Sequence, residues 1–120
     1  MLADSNVAGA TETQASWKMG FLDLQILSLL CSLPMTGYCL RKNLHLRFGI
    51  WISFGTLYPH LRFLEKIQVL SSSSKSRTPT SAEVITYELT AIGRADLRRG
   101  LASFQNSINI VKELVRFVRE

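Results

Sequence analysis

Hydroxyls, an imidazole and cationic side chains crowd one stretch, Ser53-Phe54-Gly55-Thr56-Leu57-Tyr58-Pro59-His60-Leu61-Arg62-Phe63-Leu64-Glu65-Lys66. Leu57, Leu61 and Leu64 recur at helical spacing and define an apolar back. Tyr58, Arg62 and Lys66 repeat every four residues on a second face, with His60 and Phe63 beside them. Ser53 suits the N-cap, because its hydroxyl can accept a backbone N–H of the first turn. Small Gly55 and Thr56 follow, where a helix end can approach another surface closely. Such a front is suited to touching an anion. An ordinary solvated face is the plain alternative.

Charge decides between them. No acidic residue lies between Asp23 and Glu65, whereas Arg41, Lys42, Arg47 and Arg62 fall inside that span. The 120-residue chain carries 14 Lys and Arg against 9 Asp and Glu, a formal net charge of +5. A basic surface raises the local concentration of a polyanion and speeds its arrival. Nucleic acid is the expected partner, since phosphate neutralisation supplies most non-specific affinity. An anionic membrane surface is the other polyanion to weigh.

Enzymatic chemistry has little to stand on. The two histidines are His45 and His60, and the two cysteines, Cys31 and Cys39, lack metal-ligand spacing. They read as two buried, reduced thiols of a cytoplasmic protein. There is no Gly-rich phosphate loop after a strand and no serine in a nucleophile elbow. No catalysis, cofactor or metal is expected.

The elements that must position the basic stretch read as follows. Residues 1–20 are rich in Ala, Ser, Thr and Gly and predict a flexible arm without secretory character. Trp17 is the exception, an aromatic suited to docking, for instance across a partner subunit. Phe21 to Ser32 is apolar nearly all round, as a central buried helix would be, and too short and too polar to span a bilayer. Pro34 follows it. Thr36 caps a helix over Gly37 to Phe48, with Tyr38, Leu40 and Leu44 inward and Arg41, Lys42, His45 and Arg47 mostly outward. Gly49 ends it, and Ile50-Trp51-Ile52 predicts a short strand. Pro59 predicts a kink in the next helix, because it lacks an N–H and crowds the carbonyl four residues back.

Gln68 to Ser72 and Val84 to Leu89 predict a hairpin around a Ser-rich loop carrying Lys75 and Arg77. Thr90 caps the last helix. There Leu97, Leu101, Phe104, Ile108, Val111, Val115 and Val118 alternate at spacings of four and three. That seam favours pairing with a second copy, as does the 47% hydrophobic content of so small a basic chain. The expected fold is mainly α with a small β-hairpin: a winged helix-turn-helix domain over residues 21–92, then a dimerisation helix over 93–120.

The residues also resemble one family, the PadR-type transcriptional regulators. The resemblance rests on Leu24 to Leu30, Thr36-Gly37-Tyr38, Gly55-Thr56-Leu57-Tyr58-Pro59 with Leu61 and Leu64-Glu65, and Tyr87-Glu88-Leu89-Thr90-Ala91-Ile92-Gly93. It covers roughly Phe21 to the C-terminus, and its specificity comes from the Gly-Thr-Leu-Tyr-Pro and Leu-Thr-x-x-Gly runs together. It implies a homodimer on double-stranded DNA with a pseudo-palindromic operator, most simply a repressor. The helix from Ser53 would enter the major groove and the wing the adjacent minor groove. Ser53, Gly55, Thr56, Tyr58 and His60 fall on the recognition segment, with Thr56, Tyr58 and His60 nearest to base edges. Packing of Tyr58 into the core is an equal alternative. Arg41, Lys42, Arg47, Arg62, Lys75 and Arg77 are the expected phosphate contacts.

The chain departs from the family in its serine-rich wing, its long arm and a last helix without Trp. The last of these weighs against multidrug sensing. A small-molecule effector in a groove along Gly100, Ser103 and Ser107 is a second reading, and a winged helix that binds protein rather than DNA a third.

Overall fold

The computed structural model describes residues 17–75 and 83–120. The elements are α1 (Phe21–Ser32), β1 (Met35–Thr36), α2 (Gly37–Phe48), α3 (Phe54–Lys66), β2 (Leu70–Lys75), β3 (Val84–Leu89) and α4 (Ala91–Arg119). This is a mainly helical winged helix with a three-stranded antiparallel sheet and a long last helix.

Caps set the helix boundaries. The Gly20 N–H donates to the Asp23 carboxylate at 2.9 Å, which also places an acid at the positive end of α1. Thr36 and Ser53 accept from the N–H groups of Cys39 and Thr56, and Thr90 from that of Gly93. Gly49 closes α2 in the left-handed region at φ 69°, its N–H donating to the His45 carbonyl. Any side chain at residue 49 would be strained there.

The core is built on α1. Leu24, Ile26, Leu27, Leu29 and Leu30 are buried against Leu40 and Leu44 of α2, Leu57, Leu61 and Leu64 of α3, and Leu97 of α4. Cys31 and Cys39, expected to be buried, are exposed. Tyr38, expected inward, is 63% exposed too. Gly37 takes the inward position instead, and a Cβ there would sit 2.6 Å from the Tyr58 hydroxyl. The expected kink at Pro59 does not interrupt α3, which runs from Phe54 to Lys66. The carbonyl deprived of a partner belongs to exposed Gly55 in the first turn, where water can satisfy it.

The sheet order is β1-β3-β2, with Leu70 opposite Leu89 and Lys75 opposite Val84. Residues 50–52 do not form the expected strand. The place beside β3 opposite β2 is taken by Met35 and Thr36 of β1. Ile50 and Ile52 pack on the core instead, and the Ile50 N–H donates to the Leu44 carbonyl. The strand expected at residues 68–72 begins later, at Leu70, because Gln68 takes a left-handed turn at φ 69° after α3.

The last helix divides in two. Its first half docks: Gly93, Asp96, Leu97 and Gly100 are buried, and Phe104 packs on the core and on Phe21. Leu97 and Phe104, expected on an intersubunit seam, therefore serve their own domain first. From Gln105 onward every residue is exposed. Residues 17–20, expected within a flexible arm, lie along the docked half. The Trp17 indole N–H donates to Asp96 at 2.9 Å, and Met19 fills the space that Gly100 leaves.

Candidate nucleic-acid interface

The front of α3 stands on a back of Leu57, Leu61 and Leu64, none of which has exposed surface. Gly55, Thr56, Pro59, Arg62, Phe63 and Lys66 project outward. Ser53 Oγ accepts the Thr56 N–H and lies 3.2 Å from the Thr56 hydroxyl, so the cap holds both side chains in place. The unpaired N–H groups and the dipole of the first turn add positive potential there, favouring an anion.

Several expected contacts have other work. Tyr58 is half-buried, lying on Gly37 and stacked on Phe54 at 5.6 Å between ring centroids. The Gly-Tyr and Leu-Tyr-Pro motifs thus meet as one packing contact between α2 and α3. Arg41 donates from Nε to the Ile52 carbonyl at 2.6 Å and lies 4.7 Å over the Phe54 ring. It braces the segment leading into α3. His60 turns back to α1, with Nε2 3.4 Å from Oδ1 of buried Asp23, within ion-pair range but without hydrogen-bond geometry. Arg47 reaches Asn43 at 3.4 Å and borders Ser28, Leu29 and Phe48, on the side of α2 that faces the end of α1. In these four, packing or hydrogen bonding engages the side chain within the domain, and for Tyr58 this is the packing alternative expected from the sequence.

Lys42, Arg62 and Lys75 remain exposed and form no ion pair with any described residue. Arg77 lies outside the described residues. On the wing, Ser72 donates to Glu65 at 2.5 Å and Ser74 to Glu83 at 2.8 Å. The serine run thereby engages two nearby acids with neutral donors. Beneath α3, burial pushes the Tyr87 phenol above its ordinary pKa, with Tyr58 and Glu65 adding to the effect and Arg62 opposing it.

Two features escaped the sequence. Trp51 is 73% exposed and stacks on His45, with ring centroids 3.7 Å apart. Trp17 links α4 to α3, holding Asp96 with its N–H while its ring meets Phe63 edge-on at 6.1 Å. Arg99 pairs with the same Asp96. The proximity of Trp51 to a Gly-ended helix was the available signal for the first. For the second, a lone Trp in a polar arm signalled docking, but its partners lie far along the chain and only the fold identifies them.

Comparison with known proteins agrees with the winged helix and its long last helix. The family model "Transcriptional regulator PadR-like family" matches residues 26–99. The chain belongs to that family. A PadR family transcriptional regulator from Eggerthella lenta is 27% identical, with 93% of this PadR-like chain and 94% of that one covered and a TM-score of 0.66. A PadR family regulator from Clostridium difficile is 21% identical, with 80% and 99% covered and a TM-score of 0.72. Bacillus subtilis PadR, solved in complex with operator DNA, is 24% identical, with 71% and 48% covered and a TM-score of 0.64. No curated protein matches the sequence. Among the described residues no helix is long and apolar enough to cross a membrane, and no cluster of His, Cys, Asp and Glu is grouped to hold a metal.

Proposed function

We propose that this PadR-like chain binds duplex DNA as a homodimer in the cytoplasm and represses transcription from a pseudo-palindromic operator. The observation that carries the reading is α3: an outward face of Ser53, Gly55, Thr56 and Arg62 on a fully buried back, in a span without acids. Thr56 is the base-edge reader, offering a hydroxyl and, to thymine, a methyl. Lys42, Arg62 and Lys75 are phosphate contacts, with Arg77 continuing the wing in sequence. The Bacillus subtilis relative, solved with operator DNA, supports the same use of the fold.

The second copy is argued from α4. Leu101, Ile108, Val111 and Val115 are 43–53% exposed, and Val118 80%. A helix segment of that length is marginal alone in water and gains its stability by packing an apolar face. An antiparallel or parallel mate would bury it.

Selection of bound duplex from a random pool tests the reading. The expected product is a motif of two half-sites, bound with a log–log salt slope of roughly −5 for about six phosphate contacts per dimer. A pool that never enriches, or a flat salt response, would count against it. A second reading has its own observation: a cavity of about 460 Å³ lies between Trp17, Met19, Arg99, Gly100 and Phe104, open to a small effector. Thermal shift against a library of small aromatic and cationic compounds tests it; no stabilising compound would remove this reading.

A further inference from the structure

We infer that Trp51, seated on His45, is a contact to the sugar–phosphate backbone at the groove edge, and that His45 is the platform that positions it. The inference rests on the DNA-binding reading above and adds a residue pair to it. Trp51 stands two residues before the N-cap Ser53. If the first turn of α3 enters a major groove, the chain leading to it must pass the groove wall, where the backbone runs. An indole there has an apolar face for a deoxyribose and an N–H for a phosphate oxygen.

Trp51 also has the attributes of a side chain held ready for a partner. It is 73% exposed, yet its ring is fixed by the stack on His45 at 3.7 Å, with planes inclined by 34°. Its neighbours Ile50 and Ile52 anchor the segment in the core, and Arg41 clamps the Ile52 carbonyl. The whole segment is therefore rigid apart from the indole's outer surface. Preorganisation of this kind reduces the ordering cost of association.

The surroundings select the occupant. Lys42 lies one turn before His45 on α2 and is exposed. No Asp or Glu occurs between Asp23 and Glu65, so neither α2 nor the segment that carries Trp51 bears an acid to oppose an anion. A duplex backbone combines apolar sugar with negative phosphate, which fits an indole flanked by a lysine better than a purely apolar partner does.

Two measurements on the full chain test this, with the duplex recovered by selection and a random duplex of equal length as probes. Trp51→Ala should weaken both duplexes by a similar factor, about tenfold, and leave the salt slope unchanged, since no charge is removed. His45→Ala should reproduce most of the loss, and His45→Phe, which keeps a ring under the indole, should restore it. Acrylamide quenching of tryptophan fluorescence, compared between wild type and Trp51→Phe, should show Trp51 accessible in the free protein and shielded at saturating duplex. If wild type binds duplex while Trp51→Ala binds equally well, or while Trp51 stays accessible in the complex, the contact is wrong and the DNA-binding reading stands. If wild type binds neither duplex, both fall together.

Discussion

The two halves of α4 carry one repeating pattern and have different fates. Leu97 and Phe104 occupy the same stripe as Ile108, Val111, Val115 and Val118. Leu97 is 5% exposed, whereas Val118 is 80% exposed. The difference is what lies opposite. The first half faces α1, Trp17 and Met19, and small Gly93 and Gly100 let backbone and side chains approach: a Cβ on Gly93 would collide with the Val69 carbonyl. The second half extends past the domain and is exposed throughout among the described residues. A heptad stripe states that a face must be covered, and the tertiary structure decides by what.

The comparison breaks most visibly where a second copy is expected. Replacing Leu101 and Ile108 together with Lys would place like charges against their mates. The dimer should weaken by about 4 kcal/mol or more, roughly a thousandfold in dissociation constant. Light scattering should then report monomers with helical content largely retained in the docked half, and a variant that remains a folded dimer would remove the seam.

Leu97→Ala probes the docked half. It deletes a core side chain and should cost about 2–5 kcal/mol. The loss should be the same in the monomeric double-Lys background, as read by urea unfolding. A cost that vanishes in that background would mean that Leu97 belongs to the subunit interface after all.

Trp17→Phe tests whether residues 17–20 belong to the docked half. It keeps the ring near Phe63 but removes the N–H donor to buried Asp96, leaving Arg99 as the remaining partner. A hydrogen bond to a charged group sets the expected loss at about 1.5–3 kcal/mol. Stability unchanged from wild type would show that the strap contributes nothing.

The smallest effect should differ in sign between the halves. Gly100→Ala improves helix propensity but crowds Met19, so a net loss of about 1 kcal/mol is expected. Ser107→Ala, in the free half, improves propensity and removes a side chain whose hydroxyl bonds back to the Ser103 carbonyl. A gain of a few tenths of a kcal/mol is expected in thermal melts. Equal signs would argue that both halves are equally packed.

Much of the fold was legible because its signals are local. Caps at Thr36, Ser53 and Thr90 follow from hydroxyls placed just before helical periodicity, and all three are made. The apolar spacing of Leu57, Leu61 and Leu64 located the back of α3. The site was less legible. Tyr58, His60 and Arg41 have residue types common at DNA surfaces, but their partners Gly37, Asp23 and Ile52 lie 21, 37 and 11 positions away. Residue type and spacing on one helix cannot show which side chains a neighbouring helix will claim. The short β1, paired to β3 through Met35 and Thr36, was missed for the same reason: two residues carry no period.

By itself the sequence determined the order of the four helices and the hairpin, the acid-free basic stretch between Asp23 and Glu65, and the existence of an apolar stripe along the last helix. These depend on periodicity, capping and charge, which act within a few residues. Only the tertiary structure decided that Leu97 is core, that Trp17 is strapped to Asp96, that Tyr58 rests on Gly37 and that Trp51 stands clear of the protein on His45. Each of these is a competition for volume or for a hydrogen-bond partner among distant segments, settled when α1 draws the other helices around it.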